Sequence, residues 1–442
     1  MSPRDADARP AGRPARTYLD FAATAPLRDA ARDAFLEASR LGANPSSLHS
    51  GGRRSRLSLD ASRARLAAAA GADPSELVFT ASGTEADNLA LKGLYWARQA
   101  ADPARRRILV SGIEHHAVLD TVEWLESHEG AVVHLLPVDA EGTADVEAAR
   151  RELDAHPGEF ALATLMWANN EVGTVQPVRE LVEACAPHGV PVHSDAVQAY
   201  GVLPTPFAET GLASMAVSGH KLGAPVGIGA LFVRRDAVLE PHTHGGGQER
   251  GIRSGTLNVA AAAAFAAVVP EGPGGRPEEA ARLRALQARL WEGVKQAVPG
   301  AVLNGPDPVE HPDRRLPGTL NLSFPGAEGD SLLFLLDMAG FETSTGSACT
   351  AGVPRPSHVV LAMSGDEERA RGTQRFSLGI DTRAEDVDAL LDVLPRIAEQ
   401  AGAAGLAARP SGIETASTRG GGRPGPQAET GSGSTRGSED RG

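Results

Sequence analysis

Two cysteines in 442 residues, Cys185 and Cys349, are too few for a disulfide framework. Such a chain suits a reducing cytoplasm, where a free thiol can do chemistry. Positive charge is also short. The formal net charge is -13, which argues against a nucleic-acid-binding surface over the whole molecule, and no direct nucleic-acid binding is expected. No apolar run approaches the roughly 20 residues that cross a bilayer. The nearest, Val259 to Val269, is alanine-rich and reads as a core helix. The N-terminus carries Arg4, Arg9, Arg13 and Arg16 but no apolar signal core, and Asp5, Asp7 and prolines interrupt it. No Gly-Lys-Ser/Thr ending marks a P-loop, no dinucleotide-type turn follows a strand, and no internal repeat is present.

What remains is ordinary globular composition, 41% hydrophobic and 22% charged, with length for two or three domains. From Leu77 to Ser218, short apolar runs alternate with helical patterns. The strands are expected at Leu77–Thr80, Ile108–Ser111, Val132–Leu136, Leu162–Trp167, Val190–His193 and Met215–Ser218, with a returning strand at 227–233. This alternation predicts an α/β fold with a mostly parallel sheet covered by helices. A helix is expected up to Ala70 and another over Glu278–Val298, where Leu283, Leu286, Leu290 and Val294 share a face. A smaller α+β domain should follow, with strands near Gly318–Phe324 and Gln374–Leu378 and helices at Ser331–Met338 and Ala384–Gln400.

Nearly every expected strand ends in polar residues: Ser82-Gly83-Thr84, His115, Asn169-Asn170-Glu171, Asp195 with Gln198, and His220-Lys221. Only Val132–Leu136 lacks such an end. Ligands of open α/β sheets bind beyond the carboxyl ends of the strands. A lysine at that edge is partly desolvated, which lowers its pKa, and a neutral amine forms a Schiff base with a carbonyl. Asp195 could keep a pyridine nitrogen protonated, and His115 could cover a ring face. The turn at Gly83-Thr84, opening a helix, offers backbone N–H groups to one phosphate. Together these meet the needs of pyridoxal 5'-phosphate. The pair His242 and His244 matches no zinc spacing, and no metal site is expected. Cys349 lies among Gly, Ser and Thr and should be accessible, whereas Cys185 sits in a helical apolar pattern and reads as a buried structural residue.

The stretches Ser218-Gly219-His220-Lys221, Asp195-Ala196-Val197-Gln198, Glu114-His115, Asn169-Asn170-Glu171-Val172-Gly173, Arg253-Ser254-Gly255-Thr256 and Gly346-Ser347-Ala348-Cys349-Thr350 resemble the cysteine desulfurases of the class V aminotransferases. Their architecture is fold type I of the pyridoxal-phosphate enzymes, and the Cys349 context is group I-like. The resemblance implies that Lys221 holds the cofactor, Asp195 pairs with its ring nitrogen and Gln198 with its hydroxyl. It implies that His115 stacks on the ring and assists proton transfer, and that Gly83, Thr84, Ser218 and His220 bind the phosphate. Thr256 would reach the phosphate site of a neighbouring subunit, implying a homodimer. Asn170, also beside the cofactor, and Arg375 would bind the substrate carboxylate. The implied reaction takes L-cysteine to L-alanine and leaves the sulfur as a persulfide on Cys349, for an iron–sulfur scaffold or a tRNA-thiolation enzyme. Trp167 and Leu222–Val226 depart from the family pattern and are expected to affect only the outer pocket. A selenocysteine lyase or a true aminotransferase is the nearest alternative, and a non-catalytic sulfur-carrier subunit the alternative of another class.

The expected organisation is a disordered arm over 1–16, a cofactor-binding large domain over 17–270, a small domain over 271–402 and a disordered tail over 403–442. Residues 17–29 are expected to pack with the small domain.

Overall fold

The computed structural model describes residues 16–346 and 356–408. Cys349 and the loop expected around it, the arm before residue 16 and the tail beyond 408 lie outside the described residues. The chain opens with a short strand, β1 (Thr17–Tyr18). Seven strands then build the main sheet: β2 (Leu77–Thr80), β3 (Arg107–Ser111), β4 (Val132–Leu136), β5 (Phe160–Thr164), β6 (Val192–Asp195), β7 (Ser214–Ser218) and β8 (Gly229–Val233). Their order is β2-β8-β7-β6-β5-β3-β4, parallel except for β8, which runs antiparallel between β2 and β7. Residues of β2, β5, β6, β7 and β8 are buried throughout, as expected of strands covered by helices on both faces.

A second sheet of β9 (Val302–Asn304), β10 (Thr319–Ser323) and β12 (Thr373–Ser377) is antiparallel in the order β12-β10-β9. The remaining strand, β11 (Phe341–Glu342), pairs with β1. Leu19, just after β1, is fully buried in a core with Leu290, Leu320, Phe376 and Leu394. The main sheet has its own core, which includes Phe79, Met215, Phe232 and Phe265. Two apolar centres therefore coexist, and the N-terminal strand belongs to the second.

Several boundaries differ from the sequence reading, among them the strand expected at Leu162–Trp167, which spans Phe160–Thr164 and leaves Trp167 beyond its end. The strand expected at Val190–His193 runs from Val192 to Asp195, so Asp195 is its last residue. Pro191 lacks an N–H for the ladder and stands just before the strand. The last helix, Ala384–Ala408, continues past Gln400, through an alanine-rich stretch of high helix propensity. Trp167 is buried in the main core and is absent from the wall of the central cavity, so its departure from the family pattern is a packing matter. Cys185 is fully buried at the end of the helix Val178–Cys185, and burial pushes its thiol up to about 12.

The segment between β1 and the first helix is held against β12. The Phe21 and Ala22 amides donate to the Ser377 carbonyl and hydroxyl. The absence of a side chain at Gly379 makes room for the Phe21 ring, onto which a Cβ would fall. Gly379→Ala should therefore displace Phe21 and destabilise the protein by about 1–3 kcal/mol through overpacking. Thermal melting checks this, and an unchanged midpoint would contradict the packing described.

Candidate active site

A cavity of about 370 Å³ opens beyond the carboxyl ends of the main-sheet strands. Its wall includes Gly83, Thr84, His115, Asn170, Asp195, Gln198, Ser218, His220, Lys221 and Arg375. The structure thus gathers ten of the twelve residues singled out in the sequence. Thr256 is exposed and lies outside this cavity. Cys349 lies outside the described residues, although Ser344, Gly346 and His358, on the two sides of that segment, line the cavity.

Local structure explains each placement. Lys221 sits in the 3-10 turn Gly219–Leu222 directly after β7. Gly219 has no room for a side chain, since a Cβ would come within 2.9 Å of Ile228. Asp195 ends β6 and accepts the Val197 N–H at 2.8 Å. Ser82 caps the helix Gly83–Ala101 by accepting the Glu85 N–H. As first residues of that helix, Gly83 and Thr84 have no intrahelical acceptor for their N–H groups. Gly83 fits because a Cβ there would lie 2.6 Å from Val197. Facing the same cavity, the buried Ser218 hydroxyl has no partner. A helix N-terminus with an unpartnered hydroxyl beside it suits an anion. His115 caps the helix His116–Glu129, its Nδ1 accepting the Ala117 N–H at 3.1 Å. Its ring proton therefore resides on Nε2.

The electrostatics follow from burial. The Lys221 ammonium is pushed down to about 8, first by desolvation and then by the Arg375 guanidinium, while Asp195 and Asp20 oppose the shift. Its Nζ donates to the Ala22 and Ala23 carbonyls at 2.7 and 2.9 Å. Burial raises the Asp195 carboxyl, and His115, the Val197 amide and Lys221 pull it back. Burial also lowers His115 and takes His220 down to about 4. Behind the cavity floor, Asp87 contacts His193 Nε2 at 3.1 Å, and His193 Nδ1 meets the Ser214 hydroxyl at 2.9 Å. Burial and the charges of Asp195 and Glu114 drive Asp87 well up, and burial takes His193 down to about 3. Burial thus works against charge on both members of the pair. Glu114, also fully buried, is pushed up to about 8 by desolvation, against the Met166 amide bonded to it.

Several of these residues escaped the sequence reading as site members: Asp20, Ala22, Ala23, Asp87, His116, Glu171 and His358. Asp87 had a signal, since it stands four residues after Gly83 and shares its helix face. Glu171 lay within a recognised motif, where it accepts the Ser357 hydroxyl at 2.5 Å. His358 Nε2 donates to the Glu114 carbonyl at 3.0 Å, a contact no local pattern could announce.

Residues 17–390 match the aminotransferase class-V family. An IscS-like cysteine desulfurase of Mycobacterium tuberculosis is 51% identical over 391 residues, 88% of this chain and 98% of that protein. Cysteine desulfurase IscS of Clostridium botulinum is 38% identical, over 87% of this chain and 95% of its own. Among solved structures, a NifS-like protein superposes with a TM-score of 0.77 at 33% identity, covering 87% of this chain and 100% of that one. A structure described as SspA in complex with cysteine gives 0.70 at 32% identity, covering 82% and 98%. The architecture is that of the fold type I pyridoxal-phosphate enzymes. The chain belongs to the class V aminotransferases and, within them, to the cysteine desulfurases, a family that depends on pyridoxal phosphate.

An amine-directed acylating reagent should label Lys221 of the cofactor-free protein with a midpoint near pH 8, where burial has placed it. Asp195→Asn removes a negative charge that favours the ammonium and should move the midpoint down. A wild-type midpoint near that of free lysine, about 10.4, would mean that the amine is hydrated.

Proposed function

We propose that this chain binds pyridoxal 5'-phosphate and converts L-cysteine to L-alanine, leaving the sulfur as a persulfide on Cys349. The observation that carries the reading is the single cavity shared by Lys221, Asp195, His115, Arg375 and the amino end of the helix at Gly83. The residues present fit the cofactor. The unpartnered Ser218 hydroxyl and the free first-turn amides would take the phosphate, with Thr84 and His220 beside them. The Asp195 carboxylate would hold the proton of the ring nitrogen, Gln198 would bond the ring hydroxyl, and His115 would cover the ring, with Asn170 nearby. Lys221 Nζ would hold the aldehyde carbon. When bound, the cofactor supplies an electron sink that weakens the Cα–H bond of the substrate.

The chain's own groups do the rest. Arg375 and Asn170 receive the substrate carboxylate. Lys221, once displaced, is an amine that burial brings down to about 8, so a neutral fraction is available near neutral pH, and it takes the Cα proton on Nζ. His115, neutral for the same reason, assists that transfer through Nε2. The Cys349 thiolate attacks the substrate sulfur. A sulfur–sulfur bond forms, the Cβ–S bond breaks with its electron pair going to carbon, and protonation of that carbon, followed by return of a proton from Lys221 Nζ to Cα, gives alanine.

The reading extends to a homodimer, in which Thr256 would serve the second copy's phosphate site, in keeping with its exposure outside its own cavity. The separate cores support a cofactor-binding part over 17–270 and a smaller part over 271–402. A cytoplasmic location fits the scarcity of cysteine, and no helix among the described residues is long and apolar enough to cross a membrane. The acceptor of the sulfur would be an iron–sulfur scaffold or a tRNA-thiolation protein.

Purified protein should turn L-cysteine into equimolar alanine and, with a reducing thiol, sulfide. Cys349→Ala should abolish sulfide release while the yellow cofactor absorbance remains, and Lys221→Ala should lose the borohydride-sensitive absorbance. Full sulfide release from Cys349→Ala would favour a lyase without a protein persulfide, and transamination left intact by that variant would favour an aminotransferase.

A further inference from the structure

The arginine at the cavity wall is already engaged by protein on two of its three nitrogens. Arg375 Nη1 donates to the Asn170 carbonyl at 2.9 Å, and Nη2 donates to Asp20 Oδ1 at 2.8 Å. Its side chain is only 5% exposed, and its Nε is buried without a partner among the described residues. A planar guanidinium with both terminal nitrogens fixed cannot swing. The remaining donor edge therefore has one orientation, and its unmet hydrogen bond is a standing demand for an acceptor.

Asp20 is itself held from several sides. Its carbonyl accepts from the Tyr18 hydroxyl at 3.0 Å and from the Ala23 amide at 3.0 Å. The next residues bond to Ser377, two positions along β12 from Arg375. The same turn presents the Ala22 and Ala23 carbonyls to Lys221. One short N-terminal turn thus touches both cations of the cavity, and its fixed point is the strand that carries Arg375.

We propose that Asp20 is a positioning residue: it fixes the Arg375 guanidinium at the cavity wall, where Arg375 receives the α-carboxylate of the substrate. This rests on the reading of Arg375 as the carboxylate site. Asp20 does not touch the substrate. It acts by removing the rotamers of Arg375 that would otherwise be lost on binding. The carboxylate then adds to an ion pair already in place.

The test is steady-state kinetics on the cofactor-loaded enzyme with four variants. Asp20→Asn keeps the shape and loses the charge, and it should raise KM for L-cysteine about tenfold, the scale of one charge-assisted bond, with kcat within about twofold. Tyr18→Phe loosens the same turn without touching Arg375, and its KM should stay within about twofold of wild type. Arg375→Ala should raise KM more than Asp20→Asn does, and adding Asp20→Asn to it should cost nothing further, because the two act as one unit. An equal KM increase in Tyr18→Phe would show a structural effect of the turn and overturn the inference. So would an unchanged KM in Asp20→Asn, or a lower one, which would mean that Asp20 competes with the substrate. An unchanged KM in Arg375→Ala would instead remove the carboxylate assignment itself. Binding of L-alanine, followed by the cofactor's absorbance, gives the same ranking without turnover.

Discussion

An amine kept out of water sets the terms for everything around it. Burying Lys221 disfavours its charged form, and the surrounding structure moderates that penalty without cancelling it. Two carbonyls accept its protons, and Asp195 and Asp20 lend negative charge, while Arg375 pushes the other way. The result is a nitrogen that gives up its proton near neutral pH. Moving any of these partners by a bond length would return the amine to ordinary basicity or leave it with no means of holding a proton.

The same economy of charge governs the floor of the cavity. Three carboxyl groups, Asp87, Glu114 and Asp195, are buried together: Asp195 raises the other two, and Glu114 raises Asp87 further. They cannot all be ionised in so little water. Burial holds His193 neutral beside Asp87, so Asp87 has no cationic partner there and burial pushes its carboxyl up. That leaves Asp195 as the carboxyl with the most compensation, from His115, Lys221 and the Val197 amide. The pair behind it is a packing element made of polar atoms, and the charge is concentrated where a ring nitrogen would need it.

Much of this was legible in the residues. Lys221, Asp195, His115 and Gly83 stand at strand ends, and a parallel sheet brings such ends to one edge whatever the loops between them do. The alternation of apolar runs and helices fixed the sheet's direction and its helical cover. Strand β9, only three residues long, carried no periodic signal and was missed. The roles of Asp20 and His358 were invisible because they depend on contacts across 355 and 244 positions of chain. Trp167 looked like a pocket residue because it precedes Asn169, but a buried residue just beyond a strand end points as readily inward as outward. Thr256 is exposed outside the cavity that gathers the other residues, and no spacing in the sequence separated it from them.

Lys221 follows a strand of the main sheet, and Arg375 lies at the middle of β12 in the smaller one. Each is anchored in a different apolar centre. An amino acid bound by both would act as a tie rod between the two apolar cores. Because such a ligand would seat only on the folded chain, its occupancy would add to the stability of the whole.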